Sequence, residues 1–148
     1  MKRVLFIDVR NATRSQIAEA WFNHLAAGWG QARSCGTMPA SAIDPRAVQV
    51  MREVGLDLSG SPQGVNQQLL NESHLVALMG EDISPHAFSP TRIWNFDDCV
   101  GKPLEKVRVL RDEIRNRVRE LIVEIRLEDL DSVSTLPQWQ TLMELVSA

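Results

Sequence analysis

A chain of 148 residues, of which 44% are hydrophobic, can bury the core of one domain but is too short for two ordinary domains. The formal net charge of −3 argues against wholesale nucleic-acid binding through counterion release. Two cysteines, Cys35 and Cys99, lack the spacing of a disulfide framework or a zinc site, so we expect a cytoplasmic protein without a metal or a cofactor. No apolar run approaches membrane-spanning length, so we expect no membrane partner.

The hydrophobic pattern predicts strands that alternate with helices along the chain. The predicted strands cover residues 4–7, 32–37, 74–79 and 91–96. The predicted helices cover residues 14–27, the segment that Asp44-Pro45 starts and Gly55 ends, and residues 103–127. Such alternation predicts an α/β fold with a parallel sheet that helices cover on both faces.

The segment that follows the first predicted strand has the pattern of an anion-binding loop. Residues 8–13 form a polar turn between a buried strand and the start of a helix. Backbone N–H groups and the helix dipole favour an anion at such a place. Arg14 could add a bidentate clamp on the oxygens of that anion.

The same segment resembles the active-site loop of low-molecular-weight protein tyrosine phosphatases and of the arsenate reductases built on their fold, thioredoxin- or mycothiol-type. Those proteins carry Cys, five residues and then Arg-Ser. In this sequence Asn11, Arg14 and Ser15 match the loop. The position of the nucleophilic Cys is held by Asp8.

The resemblance extends from Lys2 to about Ile125. It includes Ser34-Cys35-Gly36-Thr37, residues 44–48 and 54–59, Trp94-Asn95-Phe96-Asp97-Asp98, and the runs 101–108 and 111–115, which are closest to the arsenate reductase branch. It implies a three-layer α/β sandwich with a four-stranded parallel sheet. We therefore predict a phosphatase/arsenate reductase-like domain over residues 1–127. Residues 128–148 are predicted to be a C-terminal helical extension, with Trp139 on its apolar face, that packs on the domain or on a partner.

The resemblance also implies the site residues. Asp8, Arg14 and Asp98 take the catalytic positions, and the oxyanion-binding positions are those of Arg10, Asn11, Arg14 and Ser15. Asp98 corresponds to the general acid, although Cys99 replaces the Pro that usually follows it. Asp97-Asp98 fits a solvated turn equally well.

An aspartate at the nucleophile position changes the chemistry that the loop can perform. An ionised carboxylate would itself accept the N–H groups and repel an incoming dianion. An ion pair of Asp8 with Arg10 or Arg14 would lock the loop shut. The redox cysteines that thioredoxin-coupled arsenate reductases carry after the third strand are also absent, since residues 80–85 contain none.

These observations favour a catalytically degenerate relative, a pseudoenzyme that binds a phosphate- or arsenate-like oxyanion weakly or serves as an interaction module. Its protein partner, or a second copy in a homodimer, would contact the C-terminal extension. The alternative is an active arsenate reductase or tyrosine phosphatase that uses Asp8 or Cys99 in place of the usual Cys, with Asp8 forming an acyl phosphate in one version.

Overall fold

The computed structural model describes residues 1–132 and 138–147. Its elements are β1 (Lys2–Asp8), α1 (Arg14–Leu25), β2 (Gly30–Gly36), α2 (Pro45–Glu53), α3 (Gln67–Glu72), β3 (Leu75–Leu78), a 3-10 turn (Pro85–Ala87), β4 (Arg92–Ile93), α4 (Leu104–Ser132) and α5 (Gln138–Ser147).

The four strands form one parallel sheet in the order β2-β1-β3-β4. Asp8, the last residue of β1, lies opposite Gly36 of β2, and Ile7 lies opposite Leu78 of β3. The carboxyl ends of three strands therefore meet at one edge of the sheet, where ligands of open α/β sheets bind. The predicted four-stranded parallel sheet is confirmed.

Alternating side chains of β1 enter two separate cores. Val4 and Phe6 pack with the apolar faces of α1, α2 and α4, whereas Leu5 and Ile7 pack with Leu69 of α3 on the opposite face. A strand buried on both faces needs this continuous apolar run, because its side chains point alternately to the two sides. The result is the predicted three-layer sandwich.

The start of α2 agrees with its sequence signals. The Asp44 side chain accepts a hydrogen bond from the backbone N–H of Arg46 at 2.9 Å, and Pro45 occupies the first helical position. The cap satisfies one of the otherwise unpaired N–H groups of the first turn. It also places Asp44 beside the loop that follows β1, because the Asp44 N–H donates to the carbonyl of Ala12 at 3.0 Å.

Two elements differ from the sequence prediction. The polar run at Gln67–Glu72 is a short helix, which Asn66 caps by accepting from the N–H of Leu69 at 2.8 Å. Strand β4 covers only Arg92–Ile93 instead of residues 91–96. The N–H of Trp94 still donates to the carbonyl of Leu78 at 2.8 Å, but beyond Trp94 the chain leaves the sheet. The carbonyl of Phe96 then accepts a hydrogen bond from Arg14.

Helix α4 continues beyond residue 127 to Ser132, and α5 follows. On α5, the described side chains of Met143 and Val146 are 66% and 84% exposed. The side chain of Trp139 lies outside the described residues, so packing of the extension on the domain or a partner stays a prediction. Within the described ranges, no helix is both long and apolar enough to cross a membrane.

Candidate active site

The loop between β1 and α1 lines a cleft of about 340 Å³ at the carboxyl edge of the sheet. Asp8, Arg10, Arg14 and Asp98 all line this cleft, together with Arg46 of α2. The fold thus brings the predicted catalytic positions together, although they are separated by up to ninety residues of sequence. The chain enters the loop from β1 and leaves it at the start of α1, so backbone N–H groups point inward.

Those inward N–H groups donate to the Asp8 carboxylate. Asn11 N donates to Oδ1 at 2.6 Å and Ser15 N donates to Oδ2 at 2.9 Å. Asp8 is only 2% exposed. Each carboxylate oxygen therefore accepts a backbone N–H of the loop, which is how a bound oxyanion would satisfy these donors.

Burial raises the pKa of Asp8 above the ordinary value for an aspartate. The Ser15 N–H, the charge of Arg14, the Ser15 hydroxyl and the Asn11 N–H act in the opposite direction, since each favours the ionised form. The burial cost is the larger effect. The carboxyl group therefore binds its proton more tightly in the folded protein than in the unfolded chain.

The Asn11 side chain fixes the shape of the loop. Asn11 has a positive φ of 51°, in the left-handed region that asparagine tolerates better than most residues. Its amide donates to Ser15 Oγ at 2.8 Å and to Ser34 Oγ at 2.9 Å, and its side-chain oxygen accepts from Gln63 N at 2.9 Å. Asn11 faces the anion position with its backbone N–H, so its predicted contribution to oxyanion binding would come from the main chain.

Arg14 forms its ion pair with Asp82 rather than with Asp8. Its Nη1 and Nη2 donate to the two carboxylate oxygens of Asp82 at 3.1 Å and 2.8 Å, and Nη1 also donates to the Phe96 carbonyl at 3.0 Å. The predicted direct Asp8 to Arg14 pair is therefore wrong. Arg10, the other predicted partner, is exposed at the rim of the cleft.

Asp98 is exposed at the rim of the cleft, with its Oδ1 accepting from Val100 N at 3.1 Å. Its segment is held by Arg46, which donates to the carbonyl of Cys99 at 2.9 Å and to the carbonyl of Lys102. Asp98 is thus both in a solvated turn and within the cleft. Its role as a general acid stays a prediction.

Neither cysteine has the environment of a reactive thiolate. Cys35 is fully buried in the second core, and burial, with the charges of Asp8 and Glu19, raises the pKa of its thiol to about 12. Cys99 is 7% exposed, and burial raises the pKa of its thiol as well. Reactive cysteines have depressed pKa values and accessible sulfur atoms.

Sequence reasoning missed Asp82 and Arg46. Asp82 lies in the loop after β3. The predicted parallel sheet could have indicated it, because the carboxyl end of β3 meets the loop after β1 at the same sheet edge. Arg46 lies in the first turn of α2, and no local sequence pattern indicated that its side chain reaches the cleft. Among the residues that the structure describes, no group of three or more His, Cys, Asp or Glu side chains could hold a metal ion.

The sequence and the fold were both compared with those of known proteins. The family model described as Low molecular weight phosphotyrosine protein phosphatase matches residues 3–131. Arsenate reductase 2 of Staphylococcus haemolyticus (strain JCSC1435) is 32% identical over 123 residues, covering 79% of this chain and 93% of that protein. Glutaredoxin arsenate reductase of Synechocystis sp. is 33% identical over 131 residues, covering 84% and 99%. The solved structure of an arsenate reductase in the phosphate binding state has 30% identity and a TM-score of 0.75, covering 84% of this chain and 99% of its own.

Proposed function

We propose a function from one premise: the chain belongs to the low molecular weight phosphotyrosine protein phosphatase family. Within it, this protein is a catalytically degenerate member in which Asp8 stands at the position of the nucleophilic Cys. It acts by binding, with its loop retained as an oxyanion-type site or its fold used as an interaction module.

One observation carries this proposal. The Asp8 carboxylate is 2% exposed and accepts the backbone N–H groups of both Asn11 and Ser15. A carboxylate in this position offers no thiolate for attack on a phosphorus or arsenic centre. Its hydrogen bonds also occupy the N–H donors that an incoming dianion would need.

The alternative, an active enzyme that uses Asp8 or Cys99, has less support. An aspartyl phosphate normally needs a cation to offset charge, and the described residues contain no acidic cluster that would hold one at Asp8. Cys99 is buried with a raised thiol pKa. Thiol-based arsenate reduction would also need a resolving cysteine, and Cys35 is fully buried.

The ligand class that best fits the loop is a tetrahedral oxyanion such as phosphate or arsenate. A relative with 30% identity has been solved in a phosphate binding state, and the inward N–H groups of Asn11 and Ser15 are present here. Such a ligand can enter only when the Asp8 carboxylate becomes neutral or leaves the N–H groups. Binding to the natural protein is therefore weak, because the Asp8 side chain holds these donors.

The test compares the wild type with Asp8→Cys and Asp8→Ser. Turnover of p-nitrophenyl phosphate is measured at neutral pH with a thiol reductant, and thermal unfolding is measured with and without phosphate or arsenate. We expect turnover only in Asp8→Cys, because serine is similar to cysteine in size but cannot supply a thiolate. We expect larger stabilisation by phosphate in both variants than in the wild type. Turnover by the wild type overturns the proposal. No anion stabilisation in either variant overturns its oxyanion-site form and leaves only the interaction module.

A further inference from the structure

We infer that Asp8 is an internal anion that keeps one wall of the cleft folded when no ligand is bound. The cleft wall is the segment 37–44 between β2 and α2, of which residues 40–44 line the cleft directly. The inference rests on the proposed function, since it treats the loop after β1 as an oxyanion-type site. It adds that the cleft is formed before any ligand or partner arrives.

The cleft wall is attached to the loop after β1 by a row of main-chain hydrogen bonds. Four N–H groups of the wall donate to four carbonyls of the loop. The pairs are Thr37 N to Asp8 O at 3.1 Å, Met38 N to Val9 O at 2.7 Å, Ala40 N to Arg10 O at 2.8 Å and Asp44 N to Ala12 O at 3.0 Å. The position of the wall therefore depends on the shape of the loop.

Buried side chains contribute little to holding the cleft wall. The side chains of residues 37–42 are all exposed or half-buried, and Met38 is 73% exposed. The first wall residue that packs against the main core is Ile43, which is only partly buried. A segment with so little buried apolar surface opens locally at a low free-energy cost, unless its main-chain bonds hold it.

The loop in turn is closed around the Asp8 carboxylate. Asn11 N and Ser15 N donate to its two oxygens at 2.6 and 2.9 Å, and all three residues are 2% exposed or less. A buried N–H group without an acceptor destabilises the conformation that buries it. Without Asp8, these two donors would need a bound anion or water. The carboxylate supplies permanently what a ligand supplies only while it is bound.

The burial of Asp8 predicts different effects on the loop and on the whole fold. Burial raises the pKa of Asp8, so the ionised carboxylate lowers overall stability at neutral pH. Its replacement removes that cost but leaves the N–H groups of Asn11 and Ser15 without their acceptor. We therefore expect the loop and the cleft wall to loosen without a matching loss of overall stability.

A wall that is already in place changes how the cleft binds. A segment that becomes ordered only on binding lowers the affinity by the conformational entropy that it loses. In this protein that entropy is lost on folding, because the acid that orders the wall belongs to the chain. The affinity of the cleft for a protein partner should accordingly not depend on phosphate.

The experiment measures hydrogen–deuterium exchange of individual amides by NMR at neutral pH, with and without millimolar inorganic phosphate. It compares the wild type with Asp8→Ser and with Asp8→Asn, whose side-chain oxygen can accept only one of the two N–H groups. We expect the amides of Met38 and Ala40 to exchange about tenfold faster in Asp8→Ser than in the wild type, with Asp8→Asn between them. Phosphate should slow this exchange in Asp8→Ser and leave the wild type unchanged.

Two controls separate a local effect from a general one. The N–H of Gly30 donates to the Ala26 carbonyl at 2.8 Å at the opposite end of β2, and it should exchange at the same rate in all three proteins. Asp97→Ser makes the same substitution at an exposed aspartate of the segment that carries Asp98, and should change the exchange of the wall amides less than about twofold. Circular dichroism and urea unfolding establish that each variant is folded.

The outcomes distinguish this inference from the proposed function. Faster exchange of Met38 and Ala40 in Asp8→Ser, with Gly30 unchanged, supports the inference. If phosphate then fails to slow these amides, the ordering role of Asp8 stands, but the loop is not an oxyanion site and only the interaction module remains. Wild-type exchange rates in Asp8→Ser without phosphate, slowing by phosphate in the wild type, or an equal acceleration at Gly30 overturns the inference and leaves the proposed function intact.

Discussion

The backbone N–H of Ser15 donates to Oδ2 of Asp8 at 2.9 Å, which joins the first turn of α1 to the end of β1 through a buried carboxylate. The bond closes the loop on an acid that belongs to the chain itself. Anion-binding loops normally leave their N–H groups for a ligand. Here the same groups reduce, without cancelling, the cost of burying Asp8.

A first prediction concerns the pH dependence of stability. Because burial raises the pKa of Asp8, the native state holds this proton more tightly than the unfolded state. The carboxyl group therefore lowers stability as pH rises from about 3.9, the ordinary aspartate value, through the raised native pKa. Asp44 and Asp82, whose pKa values are lowered, contribute in the opposite direction.

Comparison of the wild type with Asp8→Asn isolates this contribution, because Asn does not titrate. Urea unfolding of both proteins at a series of pH values should give a difference in unfolding free energy, wild type minus variant, that falls as pH rises through this window. A difference that rises with pH would mean that the fold stabilises the charged carboxylate, contrary to the assignment made here.

A second prediction concerns the thiols. Cys35 is fully buried and its thiol pKa is raised to about 12, and Cys99 is 7% exposed. In the native protein at pH 8, both should react with Ellman's reagent orders of magnitude more slowly than in the unfolded chain, because the thiolate is scarce and the sulfur inaccessible. Cys35→Ala and Cys99→Ala assign the two rates. Fast labelling of native Cys99 would restore the hypothesis of an active thiol near the cleft.

A third prediction concerns the backbone contact beneath the loop. A Cβ atom at Gly36 would lie 2.6 Å from the carbonyl oxygen of Val9 and 2.8 Å from Asn11 N, both main-chain atoms that cannot rotate away. Gly36→Ala should therefore lower the free energy of unfolding by about 1–3 kcal/mol, and it should weaken phosphate stabilisation of an Asp8→Ser protein.

Gly64→Ala is the matched control, because Gly64 pairs with Gly36 in an isolated bridge while its nearest contact for a new Cβ is Pro39 Cγ at 3.8 Å. We expect this substitution to change stability by less than about 0.5 kcal/mol. Chemical denaturation of both variants measures the difference. Equal effects at the two glycines would show that loop crowding is not the cause.

The features that sequence predicted well depend on local or periodic signals. The apolar run at Val4 to Ile7 indicated a strand buried on both faces, and Asp44-Pro45 located the start of α2. The position of Asp8 at the end of β1 followed from the same pattern, and its self-occupation of the loop followed from the charge of a carboxylate. None of these inferences needs a contact between distant segments.

The features that sequence missed depend on long-range contacts. The partner of Arg14 is Asp82, 68 residues away, and nothing in either local sequence specifies the pairing. Strand β4 is short because its partner β3 ends at Leu78, so the ladder between them stops at Ile93. The chain beyond it supplies the Phe96 carbonyl to Arg14. Asn11 was expected to face a ligand, but its amide is used by Ser34, Ser15 and Gln63. The tertiary fold determines which polar groups form hydrogen bonds with each other.

A fourth prediction concerns the segment that carries Asp98. Arg46 donates to the carbonyls of Cys99 and Lys102 and also bonds to Asp44, which ties α2 to this segment. Removal of the guanidinium leaves the part-buried carbonyl of Cys99 and the exposed carbonyl of Lys102 without their charged donor, at a cost of about 1–3 kcal/mol. In Arg46→Met, the amides of Val100 and Lys102, which bond within the segment, should therefore exchange their hydrogens faster than in the wild type.

Arg52→Met is the control for this measurement. Arg52 lies on the same helix with its side chain 72% exposed and its Nε 3.7 Å from Asp57, so its loss should change neither exchange nor stability beyond about 0.5 kcal/mol. Hydrogen–deuterium exchange read by NMR resolves the individual amides. If the exchange of Val100 and Lys102 is the same in Arg46→Met as in the wild type, then Arg46 does not hold the Asp98 segment. The position of Asp98 at the cleft would in that case depend on other contacts, such as the bond from Arg14 to the Phe96 carbonyl.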